Sequence, residues 1–294
     1  FGASDYLNKN LMPEDKKVAI NQWTGNCEPT EAAIIGANNS NLFNINGGDG
    51  RIDRYYSSYT NFSPLSRKVG NVLQFLTSSP NENIYTNEWG GPYDGYINVI
   101  ETFKETEYPT FTNNKIPRRV APINVYYHFY SGEKKQSLEA LKKVYEYASS
   151  QKIIPIFTSE YISIVKGFMS GKEDKVNDGG WKFSNYGDCR TIRVNGKEKY
   201  PDLKKSKGII GYSYWENYTY IYLTNTNEAI LFFSDFKTDQ PYLREATAVI
   251  YDISLSKLKI DFSSRVFYSG KYAFSNMLPR TMYNVSYEKE ENLA

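Results

Sequence analysis

The spacing of apolar positions changes character about residue 170. Before it, short apolar runs alternate with segments whose apolar residues recur every three or four positions. Lys17 to Trp23 (KVAINQW) reads as a strand that ends in a turn at Thr24 to Asn26, and Pro29 to Ala37 reads as a helix start. Asn41 to Ile45 is a strand running into the turn Gly47-Gly48-Asp49-Gly50. Gly70 to Thr77 is a further strand, and Tyr93 to Thr106 fits a helix. Pro122 to Tyr130 (PINVYYHFY) is β-branched and aromatic throughout, the clearest strand in the chain. In Ser137 to Gln151, Leu138, Leu141, Val144, Tyr145 and Ala148 fall at helical spacing, the clearest helix. Ile153 to Phe157 then predicts a strand, and Tyr161 to Gly167 a short helix. Alternating strand and helix imply parallel β/α units, whose chemistry sits at the carboxyl ends of the strands.

After about Lys172 the pattern is all β. Trp181–Tyr186, Cys189–Val194, Tyr218–Leu223, Ala229–Phe233, Thr247–Ile253, Lys257–Phe262 and Tyr272–Ser275 read as strands separated by Gly, Asn, Asp and Pro. That spacing predicts a β-sandwich-like domain. The expected organisation is an α/β domain over residues 1–170 and an all-β domain over 171–294.

Composition alters this picture in one respect. Lys plus Arg number 35 against 33 for Asp plus Glu, so there is no basic excess, and no basic stripe, to recommend a nucleic-acid partner. The aromatic content is high, with 27 Tyr, 16 Phe and 4 Trp. Tyr suits the apolar faces and polar rims of sugar rings, and it suits β-sheets equally well. No apolar run is long enough to span a membrane. The chain begins at Phe1 and shows no leader peptide, as a processed or excised piece would. Cys27 and Cys189 are compatible either with one disulfide or with two free thiols.

Several segments could carry chemistry. His128, the single histidine, lies near the end of the strongest strand beside Tyr127. An imidazole there can exchange a proton near neutral pH, or can simply be a hydrogen-bonded rim or core residue. Asn46 and Asp49 lie in a Gly-rich strand end, fit either to meet sugar hydroxyls or to close a tight turn. Glu88 and Trp89 belong to a polar, aromatic stretch from Asn81 to Tyr93, where Glu82 and Glu88 are conceivable as paired carboxylates. Trp23 is either a sugar platform or a buried ring. Arg118 and Arg119 read best as a solvated pair, and the aromatics of Gly211 to Tyr222 as cross-strand packing or a glycan surface.

Read in order, five segments resemble the Pel-type exopolysaccharide deacetylases. They are Gln22 to Pro29 (QWTGNCEP), Asn44 to Asp49, Asn81 to Tyr93, Pro117 to Ser131 (PRRVAPINVYYHFYS) and Phe157 to Phe168 (FTSEYISIVKGF). The all-β half, through Gly180-Trp181, Cys189-Arg190-Thr191, Gly208 to Tyr212 and Pro241-Tyr242-Leu243, resembles the β-rich region that follows in that family. The resemblance implies a partial, distorted (β/α) barrel of the polysaccharide-deacetylase type. It implies removal of N-acetyl groups from an amino-sugar polysaccharide of the biofilm matrix, in a periplasmic or secreted setting. His128 would protonate the leaving amine, while Trp23, Asn46, Asp49, Glu88, Trp89 and Tyr127 would contact substrate. Other exopolysaccharide export proteins are expected partners. The family uses a divalent, zinc-like metal, but its H-x-x-x-H pair is absent here, so the ligands are expected upstream of Phe1 and no metal ligand is assigned in this chain. Two other readings stay open: a non-catalytic glycan-binding or scaffold module, and a glycoside hydrolase with paired carboxylates.

Overall fold

The computed structural model describes residues 2–24, 27–46, 65–77, 122–125, 132–133 and 135–288. Helix α1 (Gly2–Asn10) opens the chain and is followed by β1 (Ile20–Gln22), α2 (Glu31–Asn39) and β2 (Phe43–Ile45). Thr30 starts α2: its hydroxyl accepts from Ala33 N, satisfying one orphan amide of the first turn. Strand β4 (Val72–Leu76) falls within the strand expected over Gly70 to Thr77, and β3 (Leu65–Val69) precedes it in a hairpin. Gly70 lies in the turn between them, at a positive φ of 59°. The sheet order is β1-β2-β4-β3, with β1, β2 and β4 parallel and β3 antiparallel. Among the described residues this sheet is open, and no closed barrel is formed.

Helix α3 (Lys135–Ser150) matches the segment of strongest helical periodicity, with a shifted buried face. Ala140, Leu141 and Val144 are buried against Ile123 and Val125, whereas Tyr145 is exposed. Residues 122–125 join no sheet, and the rest of the strand expected up to Tyr130 lies outside the described residues, as does the helix expected over Tyr93 to Thr106. Ile153 to Ile156 is extended without a ladder partner and leads into α4 (Thr158–Ser170). Tyr161, Ile162 and Val165 of α4 pack against Ile45 and Phe75, with Phe43 and Leu73 beside them. The Tyr161 hydroxyl donates to Leu76 O at 2.8 Å and accepts from Leu65 N at 3.1 Å, which fastens the helix to the β3–β4 hairpin.

From residue 172 onward only strands occur. A five-stranded sheet has the order β16 (Tyr272–Ser275), β13 (Tyr242–Ala246), β9 (Ile209–Trp215), β10 (Tyr218–Leu223), β7 (Thr191–Asn195). A three-stranded sheet has the order β11 (Glu228–Leu231), β6 (Trp181–Ser184), β5 (Lys172–Lys175). Phe183, Ala229 and Leu231 from the smaller sheet and Tyr212, Ile221 and Leu223 from the larger share one core with Tyr186. Two short pairs complete the half: β8 (Tyr200–Pro201) with β12 (Phe233–Ser234), and β14 (Val249–Leu255) with β15 (Ile260–Arg265).

The two halves meet along α4. Gly167 lies against the Tyr186 carbonyl so closely that any Cβ there would overlap it. Ser170 Oγ donates to Asn185 O at 2.8 Å. At the other end of the helix, Arg265 Nη2 donates to both oxygens of Glu160 at 2.6 and 2.5 Å. The same carboxylate accepts from Phe157 N at 2.8 Å, so it caps the helix and pairs with the guanidinium at once. The Arg265 guanidinium also sits over the rings of Phe157 (4.7 Å) and Phe267 (5.2 Å), which meet edge to face at 5.1 Å. Arg265 is only 15% exposed and Glu160 28%, so solvent screens the pair weakly. Lys152 and Glu245 form a second, more exposed pair across the halves.

Cys27 and Cys189 are half-buried in different halves and form no disulfide with one another. Burial pushes the Cys189 thiol up to about 11, only partly offset by a backbone hydrogen bond involving Thr191.

Two outcomes follow. Glu160→Ala removes the helix cap and the partner of Arg265 together, and is expected to cost about 2 kcal/mol at the start of α4. Native-state hydrogen exchange at the Tyr161 and Ile162 amides measures that loss. Cys189 should alkylate with iodoacetamide at pH 8 roughly a hundredfold more slowly than an unperturbed thiol, its thiolate appearing only as pH rises toward 11. Mass spectrometry of the Cys189 peptide over a pH series reads this directly.

Candidate functional site

The middle residues of β2 and β4, Asn44 and Gln74, give the sheet a layer of buried amides beside the carboxyl ends of β1 and β2. Alternation along the strands explains their position. Phe43 and Ile45, like Leu73 and Phe75, face α4, so Asn44 and Gln74 face the opposite way. Both are fully buried, and every polar atom there needs a partner. Asn44 Nδ2 donates to Leu73 O at 3.1 Å, while its Oδ1 accepts from Trp23 Nε1 at 3.2 Å. Gln74 Nε2 donates to Asn46 O at 2.6 Å and to Cys27 O at 2.9 Å. Its Oε1 accepts from Arg67 Nε at 2.7 Å, across the hairpin rung that sets Arg67 opposite Gln74. Arg67 Nη2 reaches Cys27 O as well, at 3.4 Å.

Asn46 ends this layer. Its Nδ2 donates to Trp23 O at 2.7 Å and to Cys27 Sγ at 3.4 Å, and its Oδ1 is the atom of that amide these bonds do not use. Asn46 has φ 91° and Cys27 φ 52°, both in the left-handed region that costs non-glycine residues energy. Two strained residues held side by side at a strand end, over a fully bonded amide layer, are the features of a positioned binding rim. The chemistry available is binding. Amides and a guanidinium can meet hydroxyl and acetamido groups, but none of them exchanges a proton near neutral pH. Nor does this donor set, dominated by amides with one thiol, fit zinc. Among the described residues no three His, Cys, Asp or Glu side chains are grouped to hold a metal ion.

Of the residues expected to form a site, the structure brings Trp23 and Asn46 together. Trp23 is half-buried, its indole N–H tied to Asn44. His128, Asp49, Glu88, Trp89 and Tyr127 lie outside the described residues, as do Glu82, Arg118 and Arg119. Sequence reasoning missed Gln74 and Arg67 as parts of the rim, whereas Asn44 lies in the segment Asn44 to Asp49 expected to form one. One signal was available: an amide in the middle of an otherwise apolar strand, Val72-Leu73-Gln74-Phe75-Leu76.

Comparison with protein-family models, with curated proteins and with solved structures returns no match. The reading of the site therefore rests on its own geometry. No helix among the described residues is long and apolar enough to cross a membrane.

Gln74→Leu keeps the side-chain bulk but leaves the Cys27 and Asn46 carbonyls without their amide donor. It is expected to cost about 3 kcal/mol. Urea unfolding followed by tryptophan fluorescence checks the value, and Gln74→Glu, which also loses that donor, should be comparably unstable.

Proposed function

We propose that this chain is part of a Pel-type exopolysaccharide deacetylase, which removes N-acetyl groups from an amino-sugar polymer outside the cytoplasm. The observation that carries the reading is the rim at the carboxyl ends of the parallel strands β1 and β2, built from Trp23 and Asn46 and held by the Gln74 amide of β4. Open α/β sheets bind ligands at such strand ends. Two of the family-like segments, Gln22 to Pro29 and Asn44 to Asp49, lead into this rim, and the α4 segment Phe157 to Phe168 packs beneath it.

In this reading the rim orients the sugar. Asn46 Oδ1 accepts from a hydroxyl or the acetamido N–H, and the Trp23 ring meets the apolar face of the pyranose. His128 supplies what the amides lack, a group that gives a proton to the departing amine near neutral pH. Asp49, Glu88, Trp89 and Tyr127 complete the contacts with substrate. The donor set of the described residues does not fit a metal.

The test is acetate release from an acetylated amino-sugar polymer by the protein expressed with its native N-terminal extension, assayed with added divalent metal. His128→Ala should lower kcat by at least about a hundredfold. Asn46→Ala should act mainly on KM, raising it about tenfold. Undiminished turnover in His128→Ala would remove the histidine from the reaction and the deacetylase assignment with it.

A further inference from the structure

In the β half, β9 and β13 run parallel but share a single rung, Leu243 opposite Gly211. Gly211 makes that rung possible, because any Cβ there would overlap the Leu243 backbone. Beyond it the strands part, and a cavity of about 250 Å³ opens between Tyr212, Ser213 and Tyr214 on one side and Tyr242, Arg244 and Glu245 on the other. A second irregularity marks the same place. On its far edge β13 pairs with β16 through Leu243 and Glu245, so Arg244 is the extra residue of a β-bulge. Bulges re-aim a side chain and recur beside binding sites. Arg244 is exposed here.

The walls are fixed from behind. The Tyr222 hydroxyl bridges the split, 2.5 Å from Ser213 Oγ and donating to Arg244 O at 3.3 Å. The rings of Tyr212 and Tyr242 stack at 4.3 Å and 12°, and Tyr214 meets Tyr212 edge to face at 5.6 Å. Tyr212 is buried, whereas Tyr214 is 36% exposed and offers its ring to a ligand. Burial, and then the neighbouring Tyr200 and Tyr242, push the Tyr214 phenol up to about 12, so it stays neutral under ordinary conditions. The Glu245 carboxylate is paired with Lys152.

We infer that this notch is a carbohydrate-binding site, separate from the strand-end rim, that takes one pyranose ring of a neutral oligosaccharide. A phenol face suits the apolar face of a sugar, and the Arg244 fork and the hydroxyls of the tyrosines suit its polar edge. The volume lies below that of pockets enclosing drug-sized ligands, which matches one ring. The inference does not require the chain to be a deacetylase.

The experiment is a two-dimensional NMR titration of the 294-residue chain with an N-acetylglucosamine hexamer and, separately, with maltohexaose. At least one hexaose should shift the Tyr214 and Arg244 amides saturably. Tyr214→Ala and Arg244→Gln should each weaken binding about tenfold, Arg244→Gln with unchanged thermal melting. Trp23→Ala, in the other half, should leave this binding as it is. Arg244→Gln replaces an exposed side chain, so it answers even where Tyr214→Ala perturbs folding. The notch assignment is overturned by shifts confined to the Trp23 region, by undiminished affinity in Arg244→Gln, or by the absence of saturable shifts with either hexaose. Saturable binding here alongside absent acetate release would discard only the deacetylation reading.

Discussion

The buried amide of Gln74 is the interaction on which the α/β half is organised. A carboxamide with no water around it must find donors and acceptors within the fold, and leaving one buried group unsatisfied costs about 1–3 kcal/mol. Gln74 finds them in three separate segments: the Cys27 carbonyl after β1, the Asn46 carbonyl after β2, and the Arg67 guanidinium on β3. One side chain thereby holds the loops that leave two parallel strands in a single arrangement. The left-handed backbone at Cys27 and Asn46 is sustained by this anchoring, because nothing in the local preferences of Cys favours it. The rim is preorganised at the expense of backbone strain, and the strain falls where a ligand would sit.

The junction between the halves follows the same logic of obligatory partners. Glu160 belongs to α4, whose other face seals the core against β2 and β4, while Arg265 belongs to β15. Because the carboxylate serves both the helix terminus and the guanidinium, the sheet that carries the rim and the β14–β15 pair of the all-β half are tied through one helix. Gly167 contributes by absence: without a side chain, the helix backbone approaches the Tyr186 carbonyl directly. Two surfaces suited to sugars, one amide-rich and one phenol-rich, are thus carried on a single framework.

Much of this architecture is legible in the chain itself. The change from mixed to all-β patterning near residue 170 coincides with the end of α4 at Ser170 and the start of β5 at Lys172. Local signals hold where one principle dominates, as in the β-branched and aromatic run of β10, or Thr30 at the start of α2. They fail where tertiary contacts decide. The exposure of Tyr145 depends on what packs against α3, and Ile153 to Ile156 lacks a ladder because strand formation needs a partner that sequence does not name. The site was half legible for the same reason. Asn46 and Trp23 announce themselves as polar and aromatic residues after apolar runs. Gln74 acts from a hairpin, 28 positions beyond Asn46 and 47 beyond Cys27, and the register of β3 against β4 sets Arg67 beside it.

The account turns on whether the imidazole of His128 and the amide of Asn46 face the same sugar. An experimental structure of the protein bound to an N-acetylated amino-sugar oligomer measures this most directly. The account predicts one sugar unit lying over the carboxyl ends of β1 and β2, with Asn46 Oδ1 and a His128 ring nitrogen both within hydrogen-bonding reach of its acetamido group. A His128 ring enclosed in apolar packing, or a sugar bound with no contact to the Asn46 rim, would contradict it.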